Sequence, residues 1–269
     1  MDNLKNHALN VRRNIVSMVY EAQSGHPGGS LGAADILTYL YLKEMNINKE
    51  NLNSTNRDRF VLSKGHCSPA LYAALHEADL LNEDLKTFRK INSNLQGHPN
   101  MNEVAGVDMS TGSLGQGIST AVGMALANKL DKNDNRVYAL LGDGESQEGL
   151  VWEALMAAGH YKLNNLCVIV DVNHLQIDGN IEDVMNPLDF VAKGKAFNLN
   201  VVECDGHDFD DIKKAFDAAR ECKDKPTYIV AHTHKGHGVS FMEDNYGWHG
   251  KAPNEEEYKK AMEDLKEVK

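Results

Sequence analysis

An acidic residue between two glycines and an asparagine thirty positions later are the most informative features of this sequence. Asp143 follows one apolar run, in Gly142-Asp143-Gly144, and Asn173 follows a second. A carboxylate in a glycine turn, with backbone N–H groups around it, suits contact with a metal-bound phosphate. Asn173 adds a neutral oxygen for the same ion. Hard oxygen ligands predict a Mg²⁺ site completed by phosphate and water, although Ca²⁺ and Mn²⁺ accept the same ligands.

Histidines are the second group of residues with the means to do chemistry. Six of the 12 follow a glycine: His26, His66, His98, His160, His207 and His237. A preceding glycine lets an imidazole approach a ligand closely, and imidazoles exchange protons near neutral pH. We expect Gly159-His160 to be structural because it lies near the end of a predicted helix. The spacing of the histidines and of the 4 cysteines does not favour zinc.

A glycine-rich segment at 111–117 opens a predicted helix of small residues. Glycine turns at helix starts bind anions or allow close packing, so this segment alone is weak evidence for a site. We expect Gly123, inside that helix, to serve helix packing.

These residues must be positioned by the elements around them. Apolar runs predict strands over 59–62, 136–141, 166–171, 200–204 and 227–231. Helical patterns cover 4–20, 33–42, 69–77, 116–129, 150–161, 208–222 and 255–266. This alternation predicts an α/β fold in which a doubly wound, mainly parallel sheet carries helices on both faces. We expect a single domain over residues 1–269, with the second to fourth strands buried on both faces.

The loops after the predicted strands carry most of the polar chemistry. They cover 63–66, 142–145, 173–176, 205–208 and 232–237, and all are rich in Gly, His, Asp or Lys. In an open parallel sheet, ligands bind outside the carboxyl ends of the strands. We therefore expect one site along that edge.

Composition excludes several other functions. The formal net charge of −11 argues against nucleic-acid or anionic-membrane partners. No apolar stretch approaches the roughly twenty residues that span a bilayer, and residues 1–10 do not form an apolar signal segment. The cysteines do not form a disulfide framework. We expect a reduced, cytoplasmic protein.

Taken together, the ordered motifs resemble the N-terminal, diphosphate-binding domain of transketolase over about residues 10–253. The segments that carry the resemblance are Ser24-Gly25-His26-Pro27, Leu62-Ser63-Lys64-Gly65-His66, Gly97-His98-Pro99, Thr111 to Gly117, Gly142 to Gly149, Asp171 to Gly179 and Trp248-His249-Gly250. Gly-Asp-Gly followed by Asn is shared by thiamine diphosphate enzymes generally. The two Gly-His-Pro elements and Trp-His-Gly are more specific to transketolases.

The resemblance implies roles for individual residues around thiamine diphosphate. Asp143, Asn173 and the backbone carbonyl of Leu175 correspond to metal ligands. Gly144 and Lys235 correspond to positions that hold the diphosphate. The loop lying against the rings of the cofactor corresponds to Gly112, Ser113 and Leu114. Among the residues after His26-Pro27, the one that touches the diphosphate is left open between Gly28, Gly29 and Ser30.

The resemblance also implies the catalytic groups. Those around the cofactor and the sugar hydroxyls are His26, His66, His98 and His249, with His66 also binding the cofactor. Glu148 and Glu153 fall where the family runs a proton relay between subunits, but they also fit an ordinary solvated helix start. The implied reaction moves a two-carbon ketol unit from a ketose phosphate to an aldose phosphate.

The sequence covers only the diphosphate half of a transketolase. The family needs a glutamate from a second domain to protonate the aminopyrimidine ring, and here a charged helix at 255–266 is followed by no second domain. We therefore expect a natural subunit of a split enzyme rather than a fragment of a longer chain. Its partner would carry the C-terminal half, in a heterotetramer with two copies of each chain.

Three alternatives remain. The first is that the chain belongs to a 1-deoxyxylulose-5-phosphate synthase-like or other ketol-transferring thiamine enzyme, which Trp248-His249-Gly250 argues against. The second is a non-catalytic cofactor-binding or scaffold protein, which the retention of all four histidines argues against. A nucleotide-binding doubly wound domain is the third, and the first strand is not followed by the Gly-x-Gly-x-x-Gly that such domains carry.

Overall fold

A computed structural model of the protein describes residues 2–267. Its helices are α1 (Asp2–Ala22), α2 (Pro27–Gly32), α3 (Ala34–Tyr39), α4 (Ser68–Glu77), α5 (Gln116–Leu130), α6 (Gly149–His160), α7 (Ile181–Met185), α8 (Phe190–Ala196), α9 (Phe209–Glu221) and α10 (Glu255–Asp264). Its strands are β1 (Arg59–Leu62), β2 (Val137–Gly142), β3 (Leu166–Val172), β4 (Leu175–Gln176), β5 (Gly179–Asn180), β6 (Asn200–Asp205) and β7 (Thr227–His232).

Five strands form one parallel sheet in the order β1-β2-β3-β7-β6. Residues alternate between two buried clusters along each central strand. Tyr138 and Leu140 of β2 pack with α1, α3, α4 and α9 on one face. Ala139 and Leu141 pack with α5, α6 and α8 on the other. The predicted doubly wound α/β fold is therefore confirmed, and all five carboxyl ends point to the same edge.

The expectation that the fourth strand is buried on both faces is wrong. β6 lies at the edge of the sheet and pairs with β7 alone, and most of its residues are half-buried or exposed, including Glu203 and Asp205. The central strands β2 and β3 are buried throughout, and β7 is buried except at His232. Burial thus follows position in the sheet rather than order in the chain.

Helix α2 and the segment from β4 to α8 are not predicted by the sequence patterns. The six residues of α2 include three glycines, which are poor helix formers, yet all six are buried. Pro27 at the first position and packing against α1, α4 and the strand-end loops stabilise the helix instead. No helix within residues 2–267 combines the length and apolar character needed to cross a bilayer.

Two helical glycines have opposite surroundings. A Cβ added to Gly159 of α6 would lie 2.2 Å from the backbone oxygen of Phe197, so this position requires glycine, as the sequence suggested. A Cβ added to Gly123 of α5 would have nothing within 4 Å. Within the described chain, the expectation that Gly123 serves helix packing is therefore wrong.

We predict that Gly159→Ala lowers the free energy of unfolding of the isolated chain by about 1–3 kcal/mol, because the methyl group must displace backbone. Gly123→Ala is the matched control. It should raise the free energy by roughly 0.4–1 kcal/mol, since alanine restricts the unfolded chain without meeting an obstacle. Urea unfolding of both variants measures the difference. Equal effects of the two substitutions would contradict the packing described for α6.

Candidate active site

A cavity of about 380 Å³ opens at the carboxyl ends of β1, β2 and β3. The predicted site residues that line it are His66, Gly112, Leu114, Asp143, Gly144, Glu148, Leu175, Lys235 and His249. A larger, more open cavity of about 830 Å³ lies beside the amino ends of β1 and β2, near Arg57 and Asp108. None of the predicted site residues lines that second cavity.

The Asp143 carboxylate is buried and held by backbone N–H groups. Gly144 donates to one oxygen at 2.7 Å, while Asn173 and His174 donate to the other at 2.9 and 2.7 Å. The Gly142-Asp143-Gly144 turn after β2 is thus joined to the loop after β3. Burial and the neighbouring Asp171 carboxylate raise the pKa of Asp143 to about 6, so a cation beside this carboxylate is favoured.

The Asn173 side chain is oriented from both ends. Its amide nitrogen donates to Asp171 at 3.3 Å, and its amide oxygen accepts from the backbone N–H of Leu175 at 3.2 Å. Asn173 donates its backbone N–H to Asp143 and does not line the cavity itself. The expected neighbourhood of Asp143, Asn173 and Leu175 is present, but their roles as metal ligands stay a prediction.

Asp171 is an anchor that the sequence patterns did not single out. It is fully buried at the end of β3, where Lys64 and Thr233 donate hydrogen bonds to its carboxylate. Burial alone would raise the pKa of Asp171, but the Lys64 ammonium and these hydrogen bonds lower it. A buried ion pair therefore underlies the loops that carry the site.

Lys235 projects into the cavity from the loop after β7. Its ammonium donates at 3.0 Å to the carbonyl oxygen of Leu175 and at 3.0 Å to Nδ1 of His249. Burial and the nearby Lys64 ammonium lower the pKa of Lys235 to about 8, which still leaves it mainly protonated at neutral pH. A positive charge thus lies beside the carbonyl predicted as a metal ligand.

The four predicted histidines come together, although three separate Gly-His elements and the Trp-His-Gly element carry them. The ring of His26 lies 5.3 Å from those of His66 and His249 and 6.3 Å from that of His98. Burial is the largest cause that lowers the pKa of each, to about 4 for His26 and about 3 for His249. The cluster is neutral at physiological pH.

The loop at 112–115 is fixed by a second residue that the patterns missed. Glu145 is buried and accepts from the Ser63 hydroxyl at 2.5 Å and from the backbone N–H groups of Gly115 and Gly142 at 2.9 and 3.0 Å. Gly112 and Leu114 reach the cavity, whereas Ser113 is exposed and does not line it.

The residues after His26-Pro27 have different surroundings. Gly29 lines the cavity together with Lys64 and His66. A Cβ on Gly28 would lie 2.9 Å from the backbone oxygen of Trp248, and the Ser30 hydroxyl donates back to the carbonyl of His26 at 2.7 Å. Of the three candidates, only Gly29 faces the cavity.

The two predicted relay glutamates lie on or beside α6. Glu148 precedes the first turn, is exposed and lines the edge of the cavity, while Glu153 lies one turn further on, is exposed and does not line it. A Cβ on Gly115 would lie 2.8 Å from Cβ of Glu148, so the glycine-rich loop packs against it. Their exposure leaves both side chains free to contact another chain.

The chain is similar to known proteins over nearly its whole length. The family model for the thiamine diphosphate-binding domain of transketolase matches residues 4–266. The chain is 42% identical over 257 residues to one of the subunits of the apulose-4-phosphate transketolase of Phocaeicola vulgatus, covering 95% of this chain and 91% of the relative. It is 41% identical over 264 residues to the 6-deoxy-6-sulfo-D-fructose transketolase subunit SqwG of a Clostridium species, covering 97% and 96%.

The chain belongs to the transketolase family. The crystal structure of transketolase from Campylobacter jejuni superposes with a TM-score of 0.92 at 38% identity, covering 99% of this chain and 43% of that one. The chain thus spans less than half of a full-length transketolase, but nearly all of the two shorter relatives named above. The predictions of a thiamine diphosphate-binding fold and of membership in the transketolase family are confirmed.

We predict that His26 and His249 do not titrate between pH 8 and pH 5 in the folded chain. Their pKa values lie near 4 and 3, against an ordinary value of 6.5. Because the unfolded chain binds protons below pH 6.5 while these folded imidazoles do not, both groups reduce stability as the pH falls through that range. Histidine ring-proton NMR, assigned with His26→Gln and His249→Gln, measures this. Titration of either resonance near pH 6.5 without urea would contradict the predicted burial effect.

Proposed function

We propose that the chain is the diphosphate-binding subunit of a two-chain transketolase that transfers a two-carbon ketol unit from a ketose phosphate to an aldose phosphate. The observation that carries the proposal is one cavity at the strand ends that unites the oxygens around Asp143, the Lys235 ammonium and a neutral histidine cluster. These groups lie in a chain of the transketolase family.

The residues present fit thiamine diphosphate and a divalent cation. Asp143, Asn173 and Leu175 offer a carboxylate, an amide and a carbonyl oxygen within one hydrogen-bonded loop pair, the hard donor set that Mg²⁺ prefers. Lys235 places a positive charge beside them, suited to a diphosphate. We assign the metal as Mg²⁺, with Ca²⁺ and Mn²⁺ to be compared by titration. When bound, the thiazolium of the cofactor supplies the carbanion that adds to the ketose carbonyl.

The histidines of this chain bind and orient the sugar. Nδ1 of His26 is buried without a hydrogen-bond partner within the described residues, so it can accept from or donate to a substrate hydroxyl. Neutral imidazoles are suited to moving protons at hydroxyl groups, because each can give one proton and take another. His66 and His249 line the cavity, while His26 and the exposed His98 do not line it and lie beside them in the cluster.

A partner chain supplies the pyrimidine-binding and C-terminal parts, in a heterotetramer with two copies of each chain. This part of the proposal is supported by the names of both relatives, which call them subunits, and by the 43% coverage of a full-length transketolase. The exposed apolar side chains Leu114 and Ile177 at the rim of the cavity fit contact with another chain. The 4 cysteines are all free, which fits a cytoplasmic location.

Loss of a residue that only supports a metal ligand typically weakens metal binding by about 10- to 100-fold. We predict that Asp143→Asn, which changes a predicted ligand itself, weakens binding of thiamine diphosphate with Mg²⁺ to the two-chain complex by more than this. The amide of the variant lacks the negative charge of the carboxylate, and its N–H groups face the backbone N–H donors that surround this position. Asp134→Asn, which changes an exposed carboxylate before β2, is the control. Isothermal titration calorimetry measures both. Unchanged affinity in Asp143→Asn would remove this residue from the metal site.

We predict that the chain alone does not transfer ketol units and that activity appears with its partner. Native mass spectrometry of the complex should find two copies of each chain with thiamine diphosphate and metal.

His98→Ala should leave this assembly and its cofactor in place while lowering kcat/KM by roughly 100-fold or more, as for loss of a general acid or base. Full activity of that variant would argue for a non-catalytic role of the cluster.

A further inference from the structure

A second network of buried polar side chains lies beneath the loop that carries Lys235. Arg12 of α1 donates through both Nη atoms to Asp35 of α3, and both side chains are buried. Nδ1 of His207, in the loop after β6, lies 2.8 Å from the same carboxylate. Nε2 of His207 accepts from the backbone N–H of His234 at 2.9 Å. The network therefore ends on the residue next to Lys235.

The hydrogen bonds define the protonation of His207. Because a backbone N–H points at Nε2, that nitrogen carries no proton and the ring proton lies on Nδ1, facing Asp35. Arg12 balances the charge of Asp35. His237 stacks on His207 with ring centroids 3.7 Å apart, and burial, His207 and Arg12 lower the pKa of His237 to about 4. The His237 ring is therefore neutral at physiological pH.

The same network holds the loop at a second point, since Nε of Arg12 donates to the carbonyl of His237 at 3.2 Å. Between these two points, Gly236 donates to the carbonyl of Gly28 at 2.8 Å. The backbone on both sides of Lys235 is thus restrained. Within the described chain, the side chain that restrains the backbone of His234, immediately before the lysine, is His207.

We propose that His207 is a positioning residue for Lys235, held in its working tautomer by Arg12 and Asp35. This inference rests on the proposed function, in which Lys235 contacts the diphosphate. The chain Arg12–Asp35–His207 fixes the backbone at His234, and so determines where the ammonium of the following residue lies.

A metal site is the competing explanation for part of this cluster. One ligand atom from each of Asp35, His207 and His237 lies within 4.8 Å of the others. However, Arg12 already occupies both oxygens of Asp35, and both nitrogens of His207 are engaged. The hydrogen bonds therefore favour a positioning network over a metal centre.

Two amide substitutions test the roles of the two ring nitrogens of His207 separately. The longer Gln places its amide near Nε2 and can still accept from the His234 N–H. The shorter Asn places its amide near Nδ1 and can still donate to Asp35, but it leaves the His234 N–H without an acceptor. The probe is Mg²⁺ pyrophosphate, titrated into the full chain by calorimetry.

We expect His207→Asn to weaken pyrophosphate binding roughly threefold to tenfold, as for loss of one buried hydrogen bond, and His207→Gln to remain within about twofold. In a Lys235→Met background the same two substitutions should differ by less than about twofold, because the effect passes through the lysine. The inference would be overturned if His207→Asn weakened pyrophosphate binding equally in the chain with Lys235 and in the Lys235→Met background. It would also be overturned if this substitution weakened binding in neither.

Nitrogen-15 NMR of the unsubstituted chain tests the tautomer even if a variant fails to fold. A proton on Nε2 of His207 would overturn the inference, as would zinc bound at micromolar concentration with release of Arg12 from Asp35. If the unsubstituted chain does not bind pyrophosphate at all, the proposed cofactor site is wrong and the inference falls with it. Binding that is insensitive to His207→Asn removes only the positioning role.

Discussion

The buried carboxylate of Asp171 joins the loops on which the site is built. It lies at the end of β3, pairs with Lys64 from the loop after β1, and accepts from Thr233 in the loop after β7. It also accepts from the amide of Asn173 in its own loop. Removing one partner from such a buried pair typically costs about 3–5 kcal/mol, because it leaves an uncompensated charge. The relative positions of three strand-end loops therefore depend on one carboxylate.

Parallel strand direction explains why chemistry from distant parts of the sequence meets in one place. The order β1-β2-β3-β7-β6 puts the loops after β1, β2, β3 and β7 side by side, and each carries at least one group facing the cavity. Two exposed apolar side chains, Leu114 and Ile177, also line this cavity.

Residue type and strand position predicted the principal groups but not their supports. Asp143, His26, His66 and His98 could be found because glycine neighbours mark residues that approach ligands, whereas His249 was implied only by the resemblance to transketolase. Glu145 could not be distinguished from Glu148 by sequence, since both follow the same turn. The structure buries Glu145 against Ser63 and leaves Glu148 exposed. Which carboxylate points inward is decided by a turn and by Ser63, a residue of the loop after β1 that lies 82 positions away in the sequence.

The wrong expectation for the edge strand β6 and the failure to predict helix α2 have a similar origin. The burial of β6 depends on its being the last strand to one side, which follows from the crossover that inserts β7 between β3 and β6. Helix α2 is stabilised by packing on other elements, against the preferences of its glycines. Both are properties of the whole fold, so local patterns in the sequence do not contain them.

Restraints on successive residues explain how a long, flexible side chain can serve in a defined site. Thr233 is bound to Asp171, the His234 N–H to His207, and the Gly236 N–H to Gly28. With the backbone held at each neighbour, the freedom left to Lys235 is in its side chain, which carries up to about 2 kcal/mol of rotamer entropy. Hydrogen bonds from its ammonium to Leu175 and His249 remove that freedom before a ligand binds. Less ordering then remains to be done on binding, and the charge is already in place.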